Sequence, residues 1–292
     1  MKTRIISGAV LIAVIAAVLT LSKTVSPYFI TVFIAAAAAL AAFELIRNAA
    51  KVSSSVAVAG SMIYVFIMIF LLDKNISSKI IGYCLLSDVT LSGAKGFFLS
   101  NWNSYPFILS VVYFVFAVFT VLKLHKQFPL ERIAVFSSMP IFLSYTFSTL
   151  GSIINHKNGI YYLLLLLNFS AVCDTGAYFV GSTLGKHKLC PEISPKKTVE
   201  GALGGIVSSV VVALILVFAF SRTEHIVSTL LLTVPMCILG MFGDLFASAI
   251  KRSAGIKDYG TLIPGHGGIL DRFDSILMIA PVLYILESFG VI

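Results

Sequence analysis

Apolar residues in this chain come in long unbroken runs, not in the alternation of a half-buried strand or the three-to-four spacing of a half-buried helix. A run of about 20 such residues is what an α-helix needs to cross the hydrocarbon core of a bilayer, since each residue advances the helix by only about 1.5 Å. A window of that length predicts nine helices, over 5–22, 28–46, 56–72, 104–122, 133–153, 160–183, 203–221, 226–250 and 270–290. The chain therefore reads as an all-α, polytopic helical membrane protein with about nine transmembrane helices. The first run follows Lys2 and Arg4; its core is long for a signal peptide and no small-x-small cleavage site comes after it, so it reads as a first membrane helix. Segment 73–103 breaks the pattern. Its I-I-G-Y-C-L-L is too short to span and G-A-K-G-F-F suits an interface, so an external loop with an amphipathic or re-entrant piece is expected there.

Charge refines this picture. The chain has 292 residues, 58% of them hydrophobic and only 12% charged, so the placement of each charge carries information. With the N-terminus in the cytoplasm, 15 of the 21 Lys and Arg fall in or beside cytoplasmic connections and 6 on the far side, the asymmetry expected of that orientation. It puts loops 184–202 and 251–269 on the same cytoplasmic face. The net charge of +8 is then a topology signal plus an anion site, and nucleic acid is not an expected partner. Cys84, Cys173, Cys190 and Cys237 lack the spacing of a zinc site or a disulfide framework. Two parts are expected: N-terminal membrane-embedded helices over 1–153, and a C-terminal catalytic membrane domain over 154–292 that holds the polar motifs.

The densest of those motifs runs from Ser248 to Asp274, S-A-I-K-R-S-A-G-I-K-D-Y-G-T-L-I-P-G-H-G-G-I-L-D-R-F-D. Helical spacing puts Asp244, Ser248 and Lys251 or Arg252 on one face of their span, and Asp271 and Asp274 on one face at the start of the last. A carboxylate inside a span costs about 3 kcal/mol on insertion scales, so it normally faces a polar cavity with a cation beside it. Paired aspartates suit Mg²⁺, which takes one or two carboxylates and fills its shell with water and phosphate oxygens. Lys251, Arg252, Lys257 and Arg272 would repel a metal unless a polyphosphate sat between them. Pro264-Gly265-His266-Gly267-Gly268 precedes a helix, where glycines let backbone N–H groups approach an anion.

Upstream, Asp174 lies well inside span 160–183. In the loop that follows, Ser194, Lys196, Lys197 and Thr198 suit a phosphate or nucleotide, while Gly201, Gly204 and Gly205 suit close helix packing. Glu44, one turn from Arg47, is expected to form an interfacial ion pair with it. Asn168 is expected to bond a neighbouring helix. His125, His156 and His225 carry no expected role.

The run Ser248-x-Ile250-Lys251-Arg252, Lys257-Asp258-x-Gly260, Pro264-x-His266-Gly267-Gly268-x-x-Asp271-Arg272-x-Asp274 resembles the signature of the phosphatidate cytidylyltransferases, or CDP-diacylglycerol synthases. Asp174-Thr175-x-Ala177-Tyr178 and Ile193-Ser194-Pro195-Lys196-Lys197-Thr198-x-Glu200-Gly201 are similar to that family's other recurring blocks, and together they cover roughly residues 170 to 275. Ser182 stands where family members often carry a basic residue.

The resemblance implies that CTP and phosphatidic acid are joined to give CDP-diacylglycerol and pyrophosphate for phospholipid biosynthesis. It implies a multi-pass protein of the bacterial inner membrane or its equivalent, with the active site facing the cytoplasm. Asp244 and Asp271 are expected to hold Mg²⁺, supported by Asp174 or Asp274. Lys251, Arg252, Lys257, His266 and Arg272 are the expected catalytic groups, and Ser194, Lys196, Lys197, Thr198, Ser248, Gly267 and Gly268 the substrate-binding ones. A monovalent cation, K⁺, beside the magnesium and a homodimer are implied by the resemblance alone. Two other function classes fit the sequence less well. An ion-coupled transporter would need inverted repeats with broken helices, and no internal repeat is visible. Another enzyme of lipid or polyprenyl phosphates is the closer rival, although the dense aspartate motif of the CDP-alcohol phosphotransferases is missing.

Overall fold

The computed structural model describes residues 2–26, 28–73, 76, 104–124 and 129–292. Its helices are α1 (Lys2–Thr24), α2 (Tyr28–Glu44), α3 (Ser55–Leu72), α4 (Tyr105–Lys123), α5 (Leu130–Ile154), α6 (Gly159–Leu167), α7 (Cys173–Leu184), α8 (Val199–Ala219), α9 (Ile226–Ser253) and α10 (Leu270–Ser288). Five residues of π-helix follow α2 (Leu45–Ala49), and five more join α6 to α7 (Asn168–Val172). Among the described residues, seven helices are long and apolar enough to cross a membrane, the continuous Gly159–Leu184 counting as one. The chain is thus an all-α polytopic membrane protein. The loop expected over 73–103 lies, apart from Asp73 and Ile76, outside the described residues, as does His125.

The chain divides into two compact units. One comprises Met1–Ser152 with Gly260–Ile269, the other Ile153–Tyr259 with Leu270–Ile292. In the first, α2 buries a run of small residues that includes Ala35, Ala38, Ala41 and Ala42, and their size lets α3 pack closely along it. A polar seam ties three helices of this unit together: Ser61 of α3 meets the Tyr113 hydroxyl of α4 at 3.2 Å, and that hydroxyl donates to the Phe136 carbonyl of α5 at 2.7 Å. Large apolar side chains cover the outside of α4 at Phe107, Val111, Phe114, Val118 and Leu122, one exposed stripe suited to lipid contact.

In the second unit α7 packs along α8, α8 against α9, and α9 against α10. The expected close approach at the glycines of α8 is present. A Cβ on Gly205 would stand 2.5 Å from the Cys173 carbonyl, and one on Gly201 would stand 2.7 Å from that of Ala177. Asn168 bonds its neighbour as expected: its side-chain amide donates to the Ser209 carbonyl (3.0 Å), and the Ser209 hydroxyl donates back to the Asn168 carbonyl (3.3 Å). Loop 184–202 departs from the all-helical expectation. It folds as an antiparallel hairpin of β1 (Lys188–Cys190) and β2 (Ser194–Thr198), with Lys188 opposite Thr198 and Cys190 opposite Ser194.

Candidate active site

Three elements of the second unit bring acidic groups together. The π-helical turn before α7 adds a residue to the helical register just ahead of Asp174, a local feature often found at functional sites. Asp244 lies on α9 and Asp274 on α10, and these helices touch because Gly243 has no side chain: a Cβ there would be 2.7 Å from the Asp274 carbonyl oxygen. The three carboxylates are near enough to act on one another, Asp174 on Asp244 and both on Asp274.

Cations are interleaved with them. Lys197 of β2 reaches Asp244 with its Nζ 2.6 Å from Oδ2, and its charge also acts on Asp174. Ser248, one turn beyond Asp244, donates to its Oδ1 at 3.4 Å. Lys251 and Asp271 form a second pair, Nζ to Oδ1 at 2.8 Å, with the side chains 11% and 2% exposed. The helix ends favour this pairing, because Lys251 is in the last turn of α9 and Asp271 in the first turn of α10. The other Asp271 oxygen, Oδ2, accepts the Tyr259 N–H at 2.8 Å. These donors fix the orientation of the Asp271 carboxylate.

Tyr259, which occupies an unspecified place in the signature, was not among the expected site residues. It is buried, donates from its hydroxyl to the Ala247 carbonyl at 2.9 Å, and presents its ring 5.2 Å from the Lys251 ammonium. Burial, reinforced by the charges of Asp271 and Asp274, pushes its phenol well above the usual range, so it stays a neutral donor. Glu200 was also missed. Its carboxylate accepts the N–H groups of Lys186 and His187, at 3.0 and 3.1 Å, and lies 2.6 Å from His187 Nδ1, anchoring the base of the hairpin. An acidic residue in the first turn of a helix, after a lysine-rich loop, is a signal for such an anchor.

The other expected residues differ in standing. Thr198 is buried and its hydroxyl accepts the Gly201 N–H at 3.1 Å, which makes it the N-cap of α8. Lys196, Arg252, Lys257 and Arg272 are exposed, and Ser194 is half-buried. Arg252 donates to the Ile193 carbonyl at 3.4 Å, linking the end of α9 to the hairpin. His266, Gly267 and Gly268 belong to the first unit, where His266 Nδ1 is 2.7 Å from the Ser7 hydroxyl. Gly265 and Gly267 take positive φ, +77° and +85°, and the Ile263 N–H donates to the Gly267 carbonyl at 2.9 Å, closing a tight loop. Arg47, expected to pair with Glu44, instead donates to the carbonyls of Val52 (3.2 Å) and Ser53 (2.9 Å).

A bound Mg²⁺ fits this donor chemistry. Among the described residues no three His, Cys, Asp or Glu side chains are gathered to cage an ion by themselves. Magnesium does not require that, since one or two carboxylates with water and substrate phosphates complete its shell.

Comparison with known proteins bears on the whole chain. It matches the cytidylyltransferase family over residues 2–289. It is 34% identical over 287 residues to the phosphatidate cytidylyltransferase of Bacillus subtilis, covering 98% of this chain and 97% of that protein. Proteins of the same name from Staphylococcus haemolyticus and Staphylococcus epidermidis are 45% and 46% identical over 130 residues, 44% of this chain, and those matches span about half the length of each relative. Carrying the signature on the paired helices α9 and α10, and matching from its first helix to its last, the chain belongs to the cytidylyltransferase family.

Proposed function

We propose that this protein transfers the cytidylyl group of CTP to phosphatidic acid at the cytoplasmic edge of the membrane, giving CDP-diacylglycerol and pyrophosphate. The observation that carries this reading is the interleaving of Asp174, Asp244, Asp271 and Asp274 with Lys197 and Lys251, in a chain of this family. Such a site holds both the cations and the metal-binding oxygens that a triphosphate needs. The reaction forms a bond from a lipid phosphate oxygen to the α-phosphorus of CTP and breaks the bond from that phosphorus to the bridging oxygen, which leaves with pyrophosphate. The attacking phosphate is already ionised, so the work of the protein is positioning and charge neutralisation.

In this proposal Asp244 and Asp271 would hold Mg²⁺, with Asp174 or Asp274 supporting it, and Tyr259 and Lys251 keep Asp271 in place. The metal would supply Lewis-acid neutralisation of the phosphate oxygens. Lys197 and the exposed Lys196, Arg252, Lys257 and Arg272 bind the triphosphate and the lipid phosphate. His266 and the Gly267 and Gly268 amides are assigned to the pyrophosphate on their place in the signature. K⁺ and a homodimer rest on the resemblance alone.

The test is pyrophosphate release by the purified chain in detergent. Release that requires CTP, phosphatidic acid and Mg²⁺ together is the expected result, with chelation of the metal abolishing it. No release from folded protein would overturn the reading and turn attention to other lipid or polyprenyl phosphates.

A further inference from the structure

Glu44 has no role in the reaction as described, yet it is among the most enclosed charged residues of the first unit, with 1% of its surface exposed. Removing an ionisable carboxylate from water is costly, so donors are expected wherever one is buried. The Ile269 N–H is such a donor, 3.0 Å from Oε1. The loop is also built around this carboxylate. A Cβ on Gly260 would stand 2.4 Å from Oε1, and one on Gly268 would stand 2.3 Å from Oε2, so both positions exclude a side chain while Glu44 is in place. These contacts hold the two ends of the segment Gly260–Ile269, which carries His266 and Gly267 between them. On the other side, Glu44 ends α2 where the helix widens into the π-helical turn Leu45–Ala49.

We infer that Glu44 is a positioning residue: its carboxylate sets the conformation of loop 260–269, which carries His266 and the Gly267 and Gly268 amides. The consequence for turnover rests on the proposed function, whereas the effect on the loop does not.

The experiment uses the full chain in detergent, with hydrogen exchange of the peptides covering 260–269 followed beside pyrophosphate release from CTP and phosphatidic acid. Glu44→Ala is expected to speed exchange there by about tenfold or more while α6–α9 keep their protection. It is expected to lower kcat by about tenfold or more with KM for CTP changed by less than about threefold, since the loop groups are assigned to the leaving pyrophosphate, whose extra charge develops in the transition state. Glu44→Gln, which keeps an acceptor oxygen, is expected to recover most of the protection and part of the rate. Gly268→Ala should mimic Glu44→Ala, and the two together should cost less than the sum of the two alone. Unchanged exchange in Glu44→Ala, faster exchange with kcat intact, or additive costs would each overturn the inference. Should Glu44→Ala not fold, Gly268→Ala and Glu44→Gln answer the same question. A wild-type chain that releases no pyrophosphate overturns the proposed function instead, and the exchange measurements then decide the role of Glu44.

Discussion

The two lysine–aspartate pairs look alike in chemistry and differ in burial, and that difference predicts different behaviour. Lys251 and Asp271 are 11% and 2% exposed at the side chain; Lys197 and Asp244 are 23% and 27% exposed, with the Lys197 ammonium itself buried and the opening to solvent on the Asp244 side. Removing one member of a buried pair leaves a buried charge without its partner, which costs roughly 3–5 kcal/mol, whereas a carboxylate left with access to solvent, as Asp244 would be, costs about 1 kcal/mol or less. Lys251→Met is therefore expected to lower the melting temperature in detergent by many degrees. Lys197→Met should leave it nearly unchanged while reducing turnover. Asp271→Asn, which leaves the Lys251 ammonium without its counter-charge, should also lower the melting temperature, and it should abolish turnover in the protein that still inserts and folds. An inert Lys251→Met, or an active Asp271→Asn, would remove the pairing or the metal role from this account. The aspartates were legible in the sequence because charge inside an apolar span is expensive and therefore conspicuous. Tyr259 was not, since an aromatic residue is unremarkable in this composition and its value lies in a backbone N–H that any residue but proline carries.

At the scale of elements, the hairpin and the start of α8 form one unit. Thr198 ends β2 and caps α8, and Glu200 in the first turn of α8 binds the backbone where β1 begins. Loss of such a cap costs about 1 kcal/mol. Thr198→Ala is accordingly expected to lower the melting temperature by a few degrees with KM for CTP unchanged, and Thr198→Ser to restore it. If KM rose severalfold with stability intact, Thr198 would be a substrate ligand, as its place in the lysine loop first suggested. Sequence periodicity found the long helices because each must present about 20 apolar residues to lipid. The hairpin escaped that reading: its strands have three and five residues, too few to establish a period, and Lys196 and Lys197 in β2 read equally well as a positive-inside loop.

Across the whole molecule, the split of basic residues, 15 to 6, predicts a cytoplasmic hairpin. In a chain whose four native cysteines are replaced, Glu192→Cys in the hairpin turn should react with a membrane-impermeant thiol reagent only from the cytoplasmic side, and Lys157→Cys only from the opposite side. The reverse pattern would invert the topology and the proposed access of CTP. Composition and run length determined the membrane class, because the bilayer imposes a length and a polarity on every segment that crosses it. The signature determined the family, because a 27-residue arrangement of glycines, cations and carboxylates is too specific to arise from membrane insertion alone. Tertiary structure alone decided which cation meets which carboxylate, and that residues 260–269 pack with the N-terminal helices around Glu44. The reason is physical: a pairing such as Glu44 with Ile269 joins positions 225 apart, and neither helical period nor local charge spacing carries information across that distance.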